Sequence, residues 1–381
     1  MTSLSSPKQL KAYIKQQATS LGFQQCGVAQ ADIPSHVEKY KEWLKQGYHG
    51  DMGYMADREA LRSDPTSLVP GTLSVISVRL NYVPTPAKFA ETLEDSSKAI
   101  VSRYALGRDY HKLMRKKLAK LAKQLEQLSE NLSYRVFVDS APVLERAYGE
   151  EAGLGWIGKN TMLINESEGS FFFLGEILTN LPLEADEKPE NLCGKCTSCI
   201  SICPTQAIVA PYTVDARKCI SYLTIEHFGS IPESLRPLMG NRIYGCDDCQ
   251  LVCPWNRYAK ATDIDDFSPR HGLDNIELLE LFLWSEETFL KNFEGSPIRR
   301  IGFERWQRNI SIALGNAEYS PRILEALNQC LNTTDSDLIK EHVTWAIKQQ
   351  QNKKQTIAIS EPDNNQKKLI RTTRKIVKHL E

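Results

Sequence analysis

The sequence has no excess of charge of either sign: Lys and Arg total 47 in 381 residues, and so do Asp and Glu. That excludes a chain-wide bias toward anionic partners. No apolar run approaches the roughly 20 residues of a membrane span. The N-terminus, MTSLSSPKQLKAY, has neither an apolar core segment nor twin arginines, so no export signal is read and a cytoplasmic location is expected. The glycine-rich stretch GLGWIGKN (153–160) has neither P-loop nor GxGxxG spacing. The charge balance is uneven, however. Residues 297–381 hold 15 basic and 9 acidic side chains, a net of +6 that hints at an anionic partner for the C-terminal part.

Cysteine is what the chain has in quantity. Ten in a chain this long do not suit a secreted disulfide scaffold, and eight fall in metal-ligand spacing, which points to a reducing compartment. CGKCTSCISICP begins at Cys193 and reads C-x2-C-x2-C-x3-C-P. CDDCQLVCP begins at Cys246 and repeats the x2 and x3 gaps, with Cys219 between the two runs. Zinc and structural thiols are the alternatives, but zinc takes four ligands from two close pairs. The pattern is that of a bacterial two-cluster ferredoxin, in which the last cysteine of each run crosses to the other cluster. It assigns Cys193, Cys196, Cys199 and Cys253 to one [4Fe–4S] cluster, and Cys203, Cys219, Cys246 and Cys249 to a second. Cys26, in an apolar strand, and Cys330, on a helix, read as bystanders.

Around this module the pattern predicts a mixed fold, α+β or α/β, over residues 1–187. Strands are expected at 26–30, 73–80, 134–138, 161–164 and 171–178, with helices from Pro7, over 109–131 and over 142–152. The ferredoxin-like module follows at 188–260. Helical patterns then dominate 261–351, the last three resembling HEAT-type pairs. Residues 352–381, with 8 basic and 3 acidic side chains, read as a partly disordered basic tail.

Outside the cysteines the most unusual stretch is VDSAPVLERAYGEEAGLGWIGKNTMLI (138–164). Asp139 falls at the C-terminal end of an expected strand, where ligands bind in α/β sheets. From sequence alone a helix N-cap is the favoured explanation.

Taken together these segments resemble the epoxyqueuosine reductases, cobalamin-dependent enzymes of queuosine synthesis in tRNA. The resemblance runs from about residue 7 to 350. It rests on SRYALGRDYH (102–111), DSAPVLERAYGEEAGLGWIGKN (139–160), LGEILT (174–179), both cysteine runs and RNISIALGN (308–316). It implies cobalamin between the N-terminal domain and the second cluster, with Asp139 as catalytic acid. It places Arg62, Ser102, Leu163, Leu174, Ser221, Cys246 and Asp247 near the corrin. A carboxyl beside an apolar corrin is expected to have a raised pKa. The corrinoid motif D-x-H-x-x-G is missing, since DYHKLM (109–114) lacks the glycine, so no protein imidazole is expected on cobalt.

The implied reaction is reduction of epoxyqueuosine to queuosine, with electrons from an external flavodoxin- or ferredoxin-type donor and a monomeric enzyme. A reductive dehalogenase-like enzyme and a ferredoxin-type carrier are the competing readings. For the RNA, SPIRRIGFERWQRN (296–309) offers Arg299, Arg300, Arg305 and Arg308 as phosphate contacts, with Trp306 to stack on a base. The plainer alternative is a solvated basic face with Trp306 in the core.

Overall fold

The structure is a computed structural model that describes residues 6–84, 89–128, 131–355 and 363–380. Its N-terminal part is built on a four-stranded sheet of β1 (Gln25–Gln30), β2 (Ser74–Asn81), β3 (Tyr134–Phe137) and β4 (Phe172–Thr179). The strand order is β1-β2-β4-β3 and every pairing is antiparallel. The mixed fold is therefore α+β. The strand-end rule for parallel α/β sheets, which drew attention to Asp139, does not apply here.

All eight residues of β2 are buried, because both faces of the sheet are covered. On one face lie α1 (Pro7–Ser20) and α2 (Tyr110–Leu125), which bury Ile14, Met114, Leu118 and Leu121 against Val28, Ile76 and Ile177. Helix α1 starts where the sequence suggests, with the Ser6 hydroxyl accepting from the Gln9 N–H at 3.2 Å and Pro7 in its first turn. On the other face α3 (Glu145–Glu151) packs Ala147 and Tyr148 against Ala29, Val75 and Leu178. It starts at Glu145, beyond Pro142, so the expected helix over 142–152 is shorter by a turn.

The cysteine-rich part is short helices and ribbons, including α4 (Ile220–Ile225) directly after Cys219. Three longer helices follow: α5 (Gly302–Asn316), α6 (Pro321–Thr333) and α7 (Asp337–Gln355), with α7 packed against both of the others. One hydrophobic cluster runs from the sheet through Ile220, Leu223 and Leu251 to Trp306, Leu327 and Ile376, so packing is continuous across the expected boundaries.

The disordered-tail expectation is corrected. Asn364–Leu380 forms a helix, α8, that buries Leu369, Ile370, Ile376 and Leu380. It packs on the helix Phe89–Glu94 and on Asp248–Leu251 and Pro254–Tyr258 of the cysteine-rich part. Its apolar residues are few but fall on one face, which suffices for docking.

The arginine-rich segment is corrected too. Trp306 is fully buried among Phe289 and Phe293. Arg308 is also fully buried, and its guanidinium donates to the carbonyls of Leu223, His227 and Gly229, each at 2.8 Å. Asn309 donates to Thr224 O and Ile243 O at 2.9 Å, and Arg305 to Ile225 O at 3.0 Å. All but Ile243 O, which lies on the strand Arg242–Tyr244, belong to the end of α4 and the turn after it, groups a helix end leaves without backbone donors. Arg308 is thus a fastener between α5 and α4, not a phosphate contact. Arg308→Met keeps the apolar stem but strands three carbonyls, at about 1–3 kcal/mol each. Denaturant unfolding should show a loss of at least about 3 kcal/mol, and a smaller loss would mean that water replaces the fork.

Candidate active site

Asp139 follows β3 by two residues and has φ +49°, left-handed backbone that a non-glycine residue adopts at some cost. Its own N–H donates to the Glu145 carboxylate, which ties the 139–144 loop to the start of α3. The N-cap alternative fails: Leu144 precedes α3 and no side chain caps it. Asp139 instead meets His111, whose Nε2 is 3.0 Å from Asp139 Oδ2. On the other side of the ring His111 Nδ1 lies 2.6 Å from Asp109 Oδ1. The same Asp109 carboxylate caps α2 through the His111 N–H, so helix start and imidazole are fixed together.

The electrostatics follow from these contacts. The Asp139 side chain keeps 55 % of its surface open, yet the cleft walls desolvate it strongly. Burial works to raise its pKa, but hydrogen bonding and the charge of His111 outweigh burial and hold the carboxyl below its ordinary value. A raised pKa is the expectation for a carboxyl beside an apolar corrin; the contacts that the chain itself supplies pull Asp139 the other way. Burial works to lower His111, and its bonds to Asp109 and Asp139 carry it up to about 9. The raised carboxyls lie behind Asp139. Burial and the Asp139 charge push Glu145 up to about 8, and burial beside Glu145 puts Glu176 well above its ordinary range. Glu176 sits on β4 opposite Phe137 and Ser77, with no exposed surface.

Other elements converge on Asp139. Tyr54, 46 % exposed, is pushed up to about 12 by burial and by the charge of Glu226, and it also feels Arg300 and Asp139. Arg300 is ion-paired with Glu226, which follows α4 directly. Arg62 is buried and donates to Tyr54 O at 2.9 Å. Ser102 and Asp247 are buried and hydrogen-bonded to each other, and the Arg103 N–H donates to Asp247 at 2.8 Å. Leu163 is buried with Tyr148 and Leu178, and Leu174 packs half-buried against that cluster. Ser221 and Cys246 are half-buried.

The eight thiols gather in two groups. Cys193, Cys196, Cys199 and Cys253 line a cavity of about 240 Å³ together with Trp255 and Arg257. Cys249 has Cys219 and Cys203 as its nearest thiol neighbours in charge, and Cys246 has Cys249. The Ala207 N–H lies 3.2 Å from Cys203 Sγ. Four soft donors around one cavity, with N–H groups directed at sulfur, suit iron–sulfur ligation.

Of the remaining arginines, Arg299 lies in a groove beside Glu286, Glu287 and Glu294. Arg305 donates to the carbonyls of Ile301, Ile225 and Arg300 and stacks over Phe228, 4.3 Å from its ring centre. Phe228 is 65 % exposed. Sequence reasoning missed Asp109, His111, Glu145, Glu176 and Phe228. For His111 a signal existed, since SRYALGRDYH was singled out, but its partner lies 28 residues away.

Residues 62–140 match the family model described as Epoxyqueuosine reductase QueG, DUF1730, and residues 192–256 match a 4Fe-4S double cluster binding domain. The chain is 54 % identical over 367 residues to the epoxyqueuosine reductase of Salmonella typhimurium, covering 96 % of this chain and 95 % of that one. The Escherichia coli enzyme gives 54 % over 367 residues, 96 % of each chain. The chain belongs to the epoxyqueuosine reductase family. Among solved structures it superimposes on an epoxyqueuosine reductase crystallised with a tRNA-Tyr epoxyqueuosine-modified stem loop. That match has TM-score 0.83 and 28 % identity, over 98 % of this chain and 100 % of that one. The Bacillus subtilis epoxyqueuosine reductase, with its catalytic aspartate loop swung out of the active site, gives TM-score 0.81 and 28 % identity, over 99 % and 100 %. At 96 % coverage too few residues are left for all of 352–381 to lie outside the family likeness.

The His111 ion pair makes stability depend on pH with a definite sign. The folded-state pKa, about 9, lies above the ordinary 6.5, so the contribution is full below about 6.5 and lost as pH rises through about 9. The Tm difference between the natural chain and His111→Gln should be largest near pH 6 and vanish above about pH 10. A difference flat across that range would mean a neutral ring.

Proposed function

We propose that the chain reduces epoxyqueuosine to queuosine in the anticodon loop of tRNA, with Asp139 and His111 handling the protons. The observation that carries this reading is an open carboxylate, coupled to an imidazolium, that feels Arg300, whose partner Glu226 ends the helix following Cys219. Family membership at 54 % identity supplies the substrate, and it makes a dehalogenase-like reductase or a free electron carrier the weaker readings.

The net change removes one oxygen from a three-membered ring: two C–O bonds break, an alkene forms, and two electrons and two protons leave with the oxygen as water. Two [4Fe–4S] clusters, held by Cys193, Cys196, Cys199 and Cys253 and by Cys203, Cys219, Cys246 and Cys249, supply electrons singly when bound. Cobalamin, when bound, supplies an electron-rich cobalt for C–O cleavage. Half-buried Leu174, Ser221 and Cys246 would touch the corrin with side chains. Buried Arg62, Ser102, Leu163 and Asp247 would shape its wall, the last through the backbone it fixes at Arg103.

The chain's own residues then account for the protons. At neutral pH a proton sits on His111 Nε2, held against Asp139 Oδ2, and Asp109 keeps the ring in place from Nδ1. Asp139 delivers that proton to the departing oxygen, and His111 resupplies it. A general acid of this kind contributes about 10²–10⁴-fold. Glu145, hydrogen-bonded to the Asp139 backbone, is positioned to hold the second proton. Substrate RNA needs a grip near this cleft. Phe228, exposed and backed by Arg305, offers a face for an unstacked base, a role the buried Trp306 cannot fill. Such a substrate keeps the enzyme in the cytoplasm, and electrons come from an external one-electron donor.

Turnover is tested on a stem loop carrying epoxyqueuosine, with nucleosides identified by mass spectrometry after digestion. Asp139→Asn should bind the stem loop normally yet fall below about a tenth of the natural rate. Retention above that fraction would remove the acid role. Cluster partition has its own test: Cys253→Ala should damage the same Mössbauer signal as Cys193→Ala, and Cys203→Ala the same as Cys246→Ala. Pairing of Cys253 with Cys246 would overturn the assignment.

A further inference from the structure

The cavity lined by Cys193, Cys196, Cys199 and Cys253 is the part of the thiol array nearest solvent: the Cys196 thiol is exposed, and Cys193 and Cys199 are half-buried. Its surroundings are unlike the rest of this electrically neutral chain. Four segments border it: residues 159–164, residues 192–200, residues 254–260 and helix α8. Helix α8 reaches it through Lys368 Nζ, 3.4 Å from Ser198 Oγ, and by packing on Pro254–Tyr258. Together the four segments contain ten Lys and Arg and no Asp or Glu, and of the ten Arg374 is ion-paired with Glu94 on the neighbouring helix. Lys195, Arg257, Lys260, Arg371, Lys375 and Lys378 are all exposed. Between these cations the rim is apolar, with Leu192 at 36 % and Tyr258 at 41 % exposure and Trp255 behind them.

We propose that this face is the docking surface for an acidic one-electron carrier protein, which delivers electrons at the exposed edge of the Cys193–Cys199 loop. The proposal deepens the reading above and rests on its clusters. A small apolar contact inside a ring of one charge suits a brief redox encounter, in which the ring steers the partner and the small contact lets it leave. The redox opening in the middle is what favours a carrier over RNA, whose chemistry lies at Asp139. Each encounter oxidises the carrier by one electron and leaves that electron on the chain, so two encounters supply the pair the reaction consumes. Helix α8 thereby gains a purpose. Its buried side docks it, and its basic side extends the field around the opening.

The test is stopped-flow reduction of the cluster-loaded full chain by reduced flavodoxin, followed by cluster absorbance, with a photoreduced deazaflavin as a reductant that needs no docking. For the natural chain the flavodoxin rate constant should fall steeply as salt rises, and a flat profile would overturn the proposal without any variant. Arg371→Glu with Lys375→Glu should lower that rate constant about 10- to 100-fold at low salt. The deazaflavin rate, the cluster spectrum and stem-loop affinity should stay unchanged. Loss of stem-loop affinity with an unchanged flavodoxin rate would make the face an RNA surface and sink the proposal. Failure of deazaflavin-reduced protein to convert the stem loop would instead count against the proposed function and leave the docking result standing.

Discussion

Everything around the cleft depends on how the end of α4 is closed. That helix begins directly after Cys219, a thiol of the second group, and stops after Ile225, leaving carbonyls that no following turn can satisfy. Three side chains of α5 satisfy them: Arg305, Arg308 and Asn309. Once they are fastened, Glu226 is placed for Arg300, and Arg300 for the Asp139 region. The Tyr222 hydroxyl, on the same helix, accepts from the Asp51 N–H at 2.7 Å and so fixes the loop leading to Tyr54. One helix end thus joins the thiols, the proton-bearing residues and the C-terminal helices. A buried cationic fork suits the task, because its five donors meet several carbonyls that converge on one point.

The cysteine groups were readable because their information is local. Gaps of two and three residues, repeated in two runs, mark a pattern in which the last thiol of each run crosses to the other group, and Cys253 lines one cavity with Cys193, Cys196 and Cys199. The strands of the sheet were readable for the same reason, since alternation and continuous apolar runs are properties of neighbours in sequence. The pairing direction was not, and the sheet is antiparallel throughout.

The arginines show where such reading stops. A fork that binds phosphate and a fork that closes a helix end have the same sequence signature, and only burial separates them. Arg308 and Trp306 are fully buried, so both belong to the interior. The C-terminal helix failed in the opposite way. Basic composition suggested disorder, although Leu369, Ile370, Ile376 and Leu380 were enough for one docked face. The role of His111 is not legible in the sequence, because its partner Asp139 lies 28 residues away and is close only in space.

Charge balance explains why these parts occur together. Each electron that enters a water-poor site raises the cost of the next unless a proton arrives with it. The cleft answers with groups whose proton affinities bracket neutrality: His111 up at about 9 and Glu145 at about 8 hold protons near pH 7, while Asp139 stays ionised between them. If Asp139 alone were raised, as a lone carboxyl against an apolar wall would be, one proton would be stored and the second would have to come from solvent. In the mechanism proposed above, coupling it to His111 in front and Glu145 behind would hold two protons in the cleft, the number that one epoxide oxygen takes away as water.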